Sequence, residues 1–144
     1  MGHTHYWRIT RPFTNEEWRR IRLDATAALT EAHGAVRLER GDSSSAIAFN
    51  GVDGQDCETF LLTQEPIGRA YADGYFNFCK TRGYPYDTAV TAILAIAAHH
   101  APDAIKVSSD GGPSLWAAGL ALAATATGLD IKLPRRVVDE DAET

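Results

Sequence analysis

Two short polar segments carry the side chains of this chain best suited to chemistry, Cys79-Lys80-Thr81-Arg82 and Ser108-Ser109-Asp110-Gly111-Gly112. Each closes an apolar run and each is followed by a helical pattern. If the two runs are parallel strands joined by the helix between them, their carboxyl ends lie side by side. A thiol, an ammonium, hydroxyls, a carboxylate and backbone amides then surround one crevice, where ligands of open α/β sheets collect. The first amides of a helix opening after Gly112 lack intrahelical partners and carry the positive end of its dipole, which suits a phosphate or carboxylate. The simpler account carries more weight: Ser109 or Asp110 caps that helix, and the glycines serve a tight turn. Neither segment has the glycine spacing of a P-loop or a dinucleotide fingerprint.

An enzyme built here would use Asp110 as acid or base, Lys80 to stabilise charge and Cys79 as nucleophile. Cys79 beside Lys80 could have a lowered thiol pKa, with His99 or His100 as its base. Those histidines, however, close a helix whose far end they occupy, so the pairing fails on geometry, and Cys79 reads better as a small buried hydrophobe. His3 and His5 project to one side of an extended segment, yet no third ligand stands at zinc-site spacing, so neither metal nor cofactor is expected. Glu16-Glu17, Asp53 with Asp56, and Asp139 with Asp141 read as cap, turn and tail rather than catalytic pairs. Tyr71, Tyr75, Tyr84 and Tyr86 flank Lys80 and Arg82, an interleaving that could stack bases or anchor a protein. Core packing accounts for Phe76 and Phe78, and the rigid loop Tyr84-Pro85-Tyr86 is the candidate interface.

Several elements must position these groups. His5 to Thr10 reads as a strand. Thr14-Asn15-Glu16-Glu17 is a capping box, opening a helix with Trp18, Ile21, Ala25 and Ala28 on one face and Gly34 past its end. Ala35 to Arg40, with Val36 and Leu38 inward, and Ala46 to Asn50 read as a hairpin, and Cys57 to Thr63 as a third strand. Residues 66–74 read as loop, and Tyr75 to Cys79 as a strand. Asp87 is placed to cap a second helix ending at His99-His100. Ile105 to Val107 is a short strand, and Pro113 opens a third helix, apolar nearly all round and therefore expected to be buried. Ile131 to Leu133 could add a last strand. The expected fold is a single α+β domain over residues 1–137, a mixed and largely antiparallel sheet of about five to six strands with three helices. One βαβ unit falls near residues 75–109, and an acidic, frayed tail covers 138–144.

The chain has 144 residues, enough for one domain to bury a core without disulfide or metal. Two cysteines point to a reducing compartment, and the absence of a signal-like start or a long apolar run predicts a cytoplasmic protein without a membrane partner. A formal net charge of −5 argues against a whole-domain field for nucleic acid, while leaving a local basic patch open.

Three blocks, the start through His3-Thr4-His5-Tyr6-Trp7, Phe76 through Asp87, and Val107-Ser108-Ser109-Asp110-Gly111, resemble a family of small bacteriophage and bacterial proteins with no established activity. The resemblance implies a phage or bacterial setting and transfers no catalytic residue. The expected function is binding, either to a host or self protein surface or to a small anionic ligand, through Cys79 to Arg82, Ser108 to Gly112, Tyr84 and Tyr86. A small hydrolase or transferase using Lys80 and Asp110 is the alternative. A nucleic-acid binder using Lys80, Arg82 and the tyrosines comes third.

Overall fold

A computed structural model describes residues 3–137; the acidic tail lies outside the described residues. In chain order the elements are β1 (Thr4–Ile9), α1 (Asn15–Glu31), β2 (Val36–Leu38), β3 (Ala46–Gly51), β4 (Phe60–Thr63), β5 (Arg69–Tyr71), β6 (Gly74–Lys80), α2 (Asp87–His100), β7 (Ile105–Ser109) and α3 (Pro113–Thr127). They form two antiparallel sheets, one ordered β5-β6-β1-β7 and one ordered β2-β3-β4. The chain is one α+β domain. With β2 to β4 set aside, β1-α1-β5 and β6-α2-β7 are two interleaved split β-α-β units, the ferredoxin-like arrangement, and the small sheet is inserted between α1 and β5.

Local chemistry explains the helices. Thr14 accepts the Glu17 amide and the Glu17 carboxylate accepts the Thr14 amide, so both arms of the capping box are present. Arg11 holds the same carboxylate at 2.8 Å, and this hydrogen bond, with the Thr14 amide, pulls the Glu17 pKa from 4.5 to about 2. A carboxyl lowered on folding stabilises the fold above its unfolded pKa and loses that contribution as pH falls through the folded one. Stability should therefore decline between about pH 5 and pH 2 in urea titrations, and Glu17→Gln should flatten that decline. Thr14→Ala should cost about 1 kcal/mol at neutral pH.

α2 is the central helix: every residue from Ala89 to Ala97 is buried. α3 approaches it so closely at Gly119, which has no side chain, that a Cβ there would fall 1.9 Å from Thr91 Oγ1. α3, expected to be buried all round, is covered only along Trp116, Gly119 and Ala123, and it exposes Leu115, Ala117, Ala118 and Ala121. Its uniform apolarity gave no facing signal; α2 is the helix surrounded on all sides.

Between the sheets, Trp7 of β1 packs on Phe60 at 5.2 Å and Phe60 on Phe49 at 5.2 Å, joining both sheets into one core. The expected hairpin of β2 and β3 is present, but Leu38 is 57 % exposed because β2 is an edge strand. Residues 69–71, expected to be loop, form β5, joined to β6 by a tight hairpin. Gly74 makes that hairpin possible: its φ is 126°, and a Cβ there would meet the Ile9 carbonyl at 2.7 Å. Residues 131–133 are not a strand; Ile131 and Val137 anchor this irregular segment in the core instead.

The expected βαβ unit exists, but its strands are not neighbours. β1 lies between β6 and β7, pairing Cys79 with His5 and His5 with Ser109. The two strand ends therefore stand two strand spacings apart, about 10 Å, and no crevice closes between them.

Candidate functional site

Alternation in β1 divides the four-stranded sheet into two faces. His5, Trp7 and Ile9 turn inward to the helices, and Thr4, Tyr6 and Arg8 turn outward. Register then carries neighbours onto the outer face in rows. One row reads Arg69, Phe76, Arg8, Lys106; the next reads Phe78, Tyr6, Ser108; Lys80 and Thr4 begin a third, which Asp110 extends through its amide bond to the Thr4 carbonyl.

The outer face thus collects rings and cations. Phe78 is 54 % exposed and Tyr71 48 %. Tyr6 stacks on Phe76 at 5.9 Å with planes 23° apart, and Phe76 lies 6.0 Å from Phe78. Arg8 sits over Phe76 at 5.0 Å and over Tyr71 at 5.3 Å, and Arg69 over Tyr71 at 5.5 Å. Asp73, at 3.1 Å from Arg8, and Asp110, accepting the Tyr6 hydroxyl at 2.9 Å, are the acidic contributions. Burial and the Asp110 carboxylate push the Tyr6 phenol pKa up, so the hydroxyl keeps its proton.

Assigning Phe76 and Phe78 to the core was wrong in direction. They share a face, as their spacing requires, but it is the open one; on the other side of β6 Cys79 is buried, Asn77 half-buried and Tyr75 exposed. Two rings on the open side of a strand whose one buried residue is the small Cys79 depart from the usual pattern, and that departure is the signal that points to function.

The segments singled out by sequence separate across the sheet. Lys80 is exposed on the outer face, and Asp110 stands across β1 from it, two strand spacings away, about 10 Å. Cys79 is fully buried, its thiol 3.5 Å from the Glu58 carbonyl, and burial, then the Glu58 charge, pushes its pKa up to about 12. Such a thiol is neither nucleophile nor surface contact. In the folded protein a thiol reagent should modify the partly exposed Cys57 and reach Cys79 only on unfolding, as peptide mapping after labelling would show. Arg82 is exposed and adopts φ 58° in the turn after β6. Tyr86 is fully buried, its hydroxyl donating to the Glu58 carbonyl at 2.7 Å, so it serves no interface; Tyr84 is half-buried against the core. Gly111 and Gly112 are buried, the Gly111 amide donates to Ser109 Oγ at 3.1 Å, and α3 is capped by Gly112 rather than by Ser109 or Asp110.

Sequence reasoning missed the inward partner of these strand ends. His5, 1 % exposed, donates from Nε2 to Asp87 Oδ1 at 2.7 Å, and its Nδ1 shares a hydrogen bond with the Ser109 hydroxyl at 2.8 Å. Asp87 also accepts the Thr81 hydroxyl, and Trp116 meets the His5 ring edge-on at 5.4 Å. Asp87, expected as a helix cap, is instead the first helical residue and spends its carboxylate on this network. The residue types are those of a nucleophilic triad. His5 is 1 % exposed, and through its two ring nitrogens and its contact with Trp116 the arrangement ties β1, β7, α2 and α3 together. A histidine alternating with Trp7 and Ile9 was the sequence signal for it. Among the described residues no cluster of histidine, cysteine, aspartate or glutamate has the arrangement to hold a metal ion, and no helix is long and apolar enough to cross a membrane.

No protein-family model matches the chain, and comparison with curated proteins and with solved structures found no match.

Proposed function

We propose that the open face of the four-stranded sheet binds single-stranded nucleic acid. The observation that carries this reading is the pairing of rings with cations: Phe76 and Tyr71 each have a guanidinium within 5.5 Å, on a face that also presents Tyr6, Phe78, Lys80 and Lys106. A base offers a planar face to a ring, and its phosphate offers a negative charge to the neighbouring Arg or Lys, so one strand satisfies both. The centre of a protein interface is instead depleted of charge, which sets this face apart from a docking surface for a host or self protein.

Architecture adds an analogy. RNA-recognition domains of the four-stranded kind also stack two or three bases on rings carried by their sheet. Here Tyr6 on β1 and Phe76 and Phe78 on β6 occupy the two middle strands. The net charge of −5 is no obstacle, because four of the carboxylates lie between Asp139 and Glu143 and the remainder of the chain is close to neutral. Binding depends on the local field.

The test is fluorescence anisotropy with labelled octauridylate and octathymidylate over a salt series. Expected is saturable binding that weakens steeply with salt, against little binding of a duplex, whose bases are already stacked. No binding of either oligomer at low salt overturns the reading and returns the face to a protein partner.

A further inference from the structure

The row Arg69, Phe76, Arg8, Lys106 does not stop at the sheet's edge. Lys106, on edge strand β7, also lines a groove of about 430 Å³ whose other wall is the irregular segment 131–136. Ile131, Pro134 and Val137 are buried, and the Val137 amide bonds back to the Pro134 carbonyl at 3.0 Å. This anchored turn leaves Arg135 and Arg136 exposed on the groove's rim, with no ion pair to any other described residue. Lys132 is exposed beside them and paired with Asp130 at 2.8 Å. Four cations, Lys106, Lys132, Arg135 and Arg136, therefore line the groove against a single carboxylate, Asp103.

A guanidinium's planar fork matches a phosphate with two parallel hydrogen bonds, and the buried neighbours fix where two of them stand on this rim. We infer that this groove is the phosphate track of the nucleic-acid site, holding the sugar–phosphate backbone of the strand as it leaves the rings over β7. The inference rests on the reading of the sheet face as the base platform. Continuity supports it: Lys106 is two strand spacings from Phe76, about 10 Å, and stands in the same row. The groove lies round the β7 edge, with Ile105 and Val107 of the sheet's helix side and Leu133 on its apolar floor and cations at its rim, so a strand coming from the rings turns over β7 at Lys106 and sets a sugar edge between phosphates.

Oligomer length separates the two parts of the site. Tetrauridylate is long enough for the rings alone, and dodecauridylate reaches from the rings into the groove. Arg135→Ala/Arg136→Ala should weaken dodecauridylate about tenfold at low salt and reduce its salt slope by about 1.4, since each single-strand phosphate contact contributes about 0.7. Tetrauridylate binding should not change. Arg135→Lys/Arg136→Lys, which keeps both charges, should retain the slope. If the alanine variant binds the long oligomer as the parent protein does, or loses both lengths equally, the track is overturned while the platform stands. If the parent protein binds neither length, the platform fails and the track fails with it.

Discussion

Replacing Phe76 and Phe78 together by alanine should weaken octauridylate binding at least about thirtyfold and leave the fold intact. Each base stacked on an aromatic ring is worth about 1–3 kcal/mol, so two lost platforms amount to about 2–6 kcal/mol. The fold tolerates the change because both rings are on the outer face. Phe78 is 54 % exposed, and its removal opens no cavity. Phe76 is half-buried between Tyr6 and the Arg8 guanidinium, so its removal frees surface groups that water can reach and should cost no more than about 1 kcal/mol. Stability by urea unfolding and affinity by anisotropy, measured on the same samples, separate the two effects. Arg8→Ala should act on both terms of recognition, removing a phosphate partner and the cation over two rings, and should reduce the salt slope where the phenylalanine variant leaves it unchanged. A double phenylalanine variant that binds the oligomer as tightly as the parent protein would eliminate the sheet face as the site.

Much of the fold was legible because short-range chemistry specifies it. The capping box at Thr14 and Glu17, the proline opening α3, and the boundaries of β1, β3, β6 and α2 follow from residues a few positions apart. What was hidden depends on which distant strand arrives beside which. Cys79 and Ser109 could be placed at strand ends, but nothing near them says that β1, from the chain's opposite end, inserts between them. That insertion removes the crevice and fills its place with His5. The same blindness reversed β6: alternation shows that Phe76 and Phe78 share a face and cannot say which face meets the helices. Apolarity argued for the core, and the structure gives the core the small Cys79 instead. Local pattern marks periodicity well and facing poorly, and functional faces are where facing departs from apolarity.

Asp87→Ala should be the most damaging single polar substitution in the protein, at about 2–5 kcal/mol, with one buried hydrogen bond to a histidine and one to a hydroxyl left unanswered. His5 and Thr81, at 1 % and 0 % exposure, cannot turn to water for replacement. Asp87 also stands in the first turn of α2, where a carboxylate favours the helix dipole, adding about 0.3–1 kcal/mol to the loss. Against the roughly 5–15 kcal/mol that hold a domain together, that is a large fraction. His5→Phe should cost less. The ring then still fills the space beside Trp116, and the Asp87 carboxylate, 13 % exposed, keeps the Thr81 hydroxyl and gains access to solvent as its second partner. The asymmetry arises because an orphaned donor in a sealed site costs its full desolvation, whereas an acceptor at the edge can be rehydrated. Urea unfolding of the two variants and of the double variant would measure it, and an Asp87→Ala protein within about 1 kcal/mol of the parent would show that the brace is dispensable. Because β1 carries His5 on one face and Tyr6 on the other, the brace also sets the height of the ring platform. The folded fraction of the Asp87 variant should therefore bind octauridylate more weakly than its stability alone predicts.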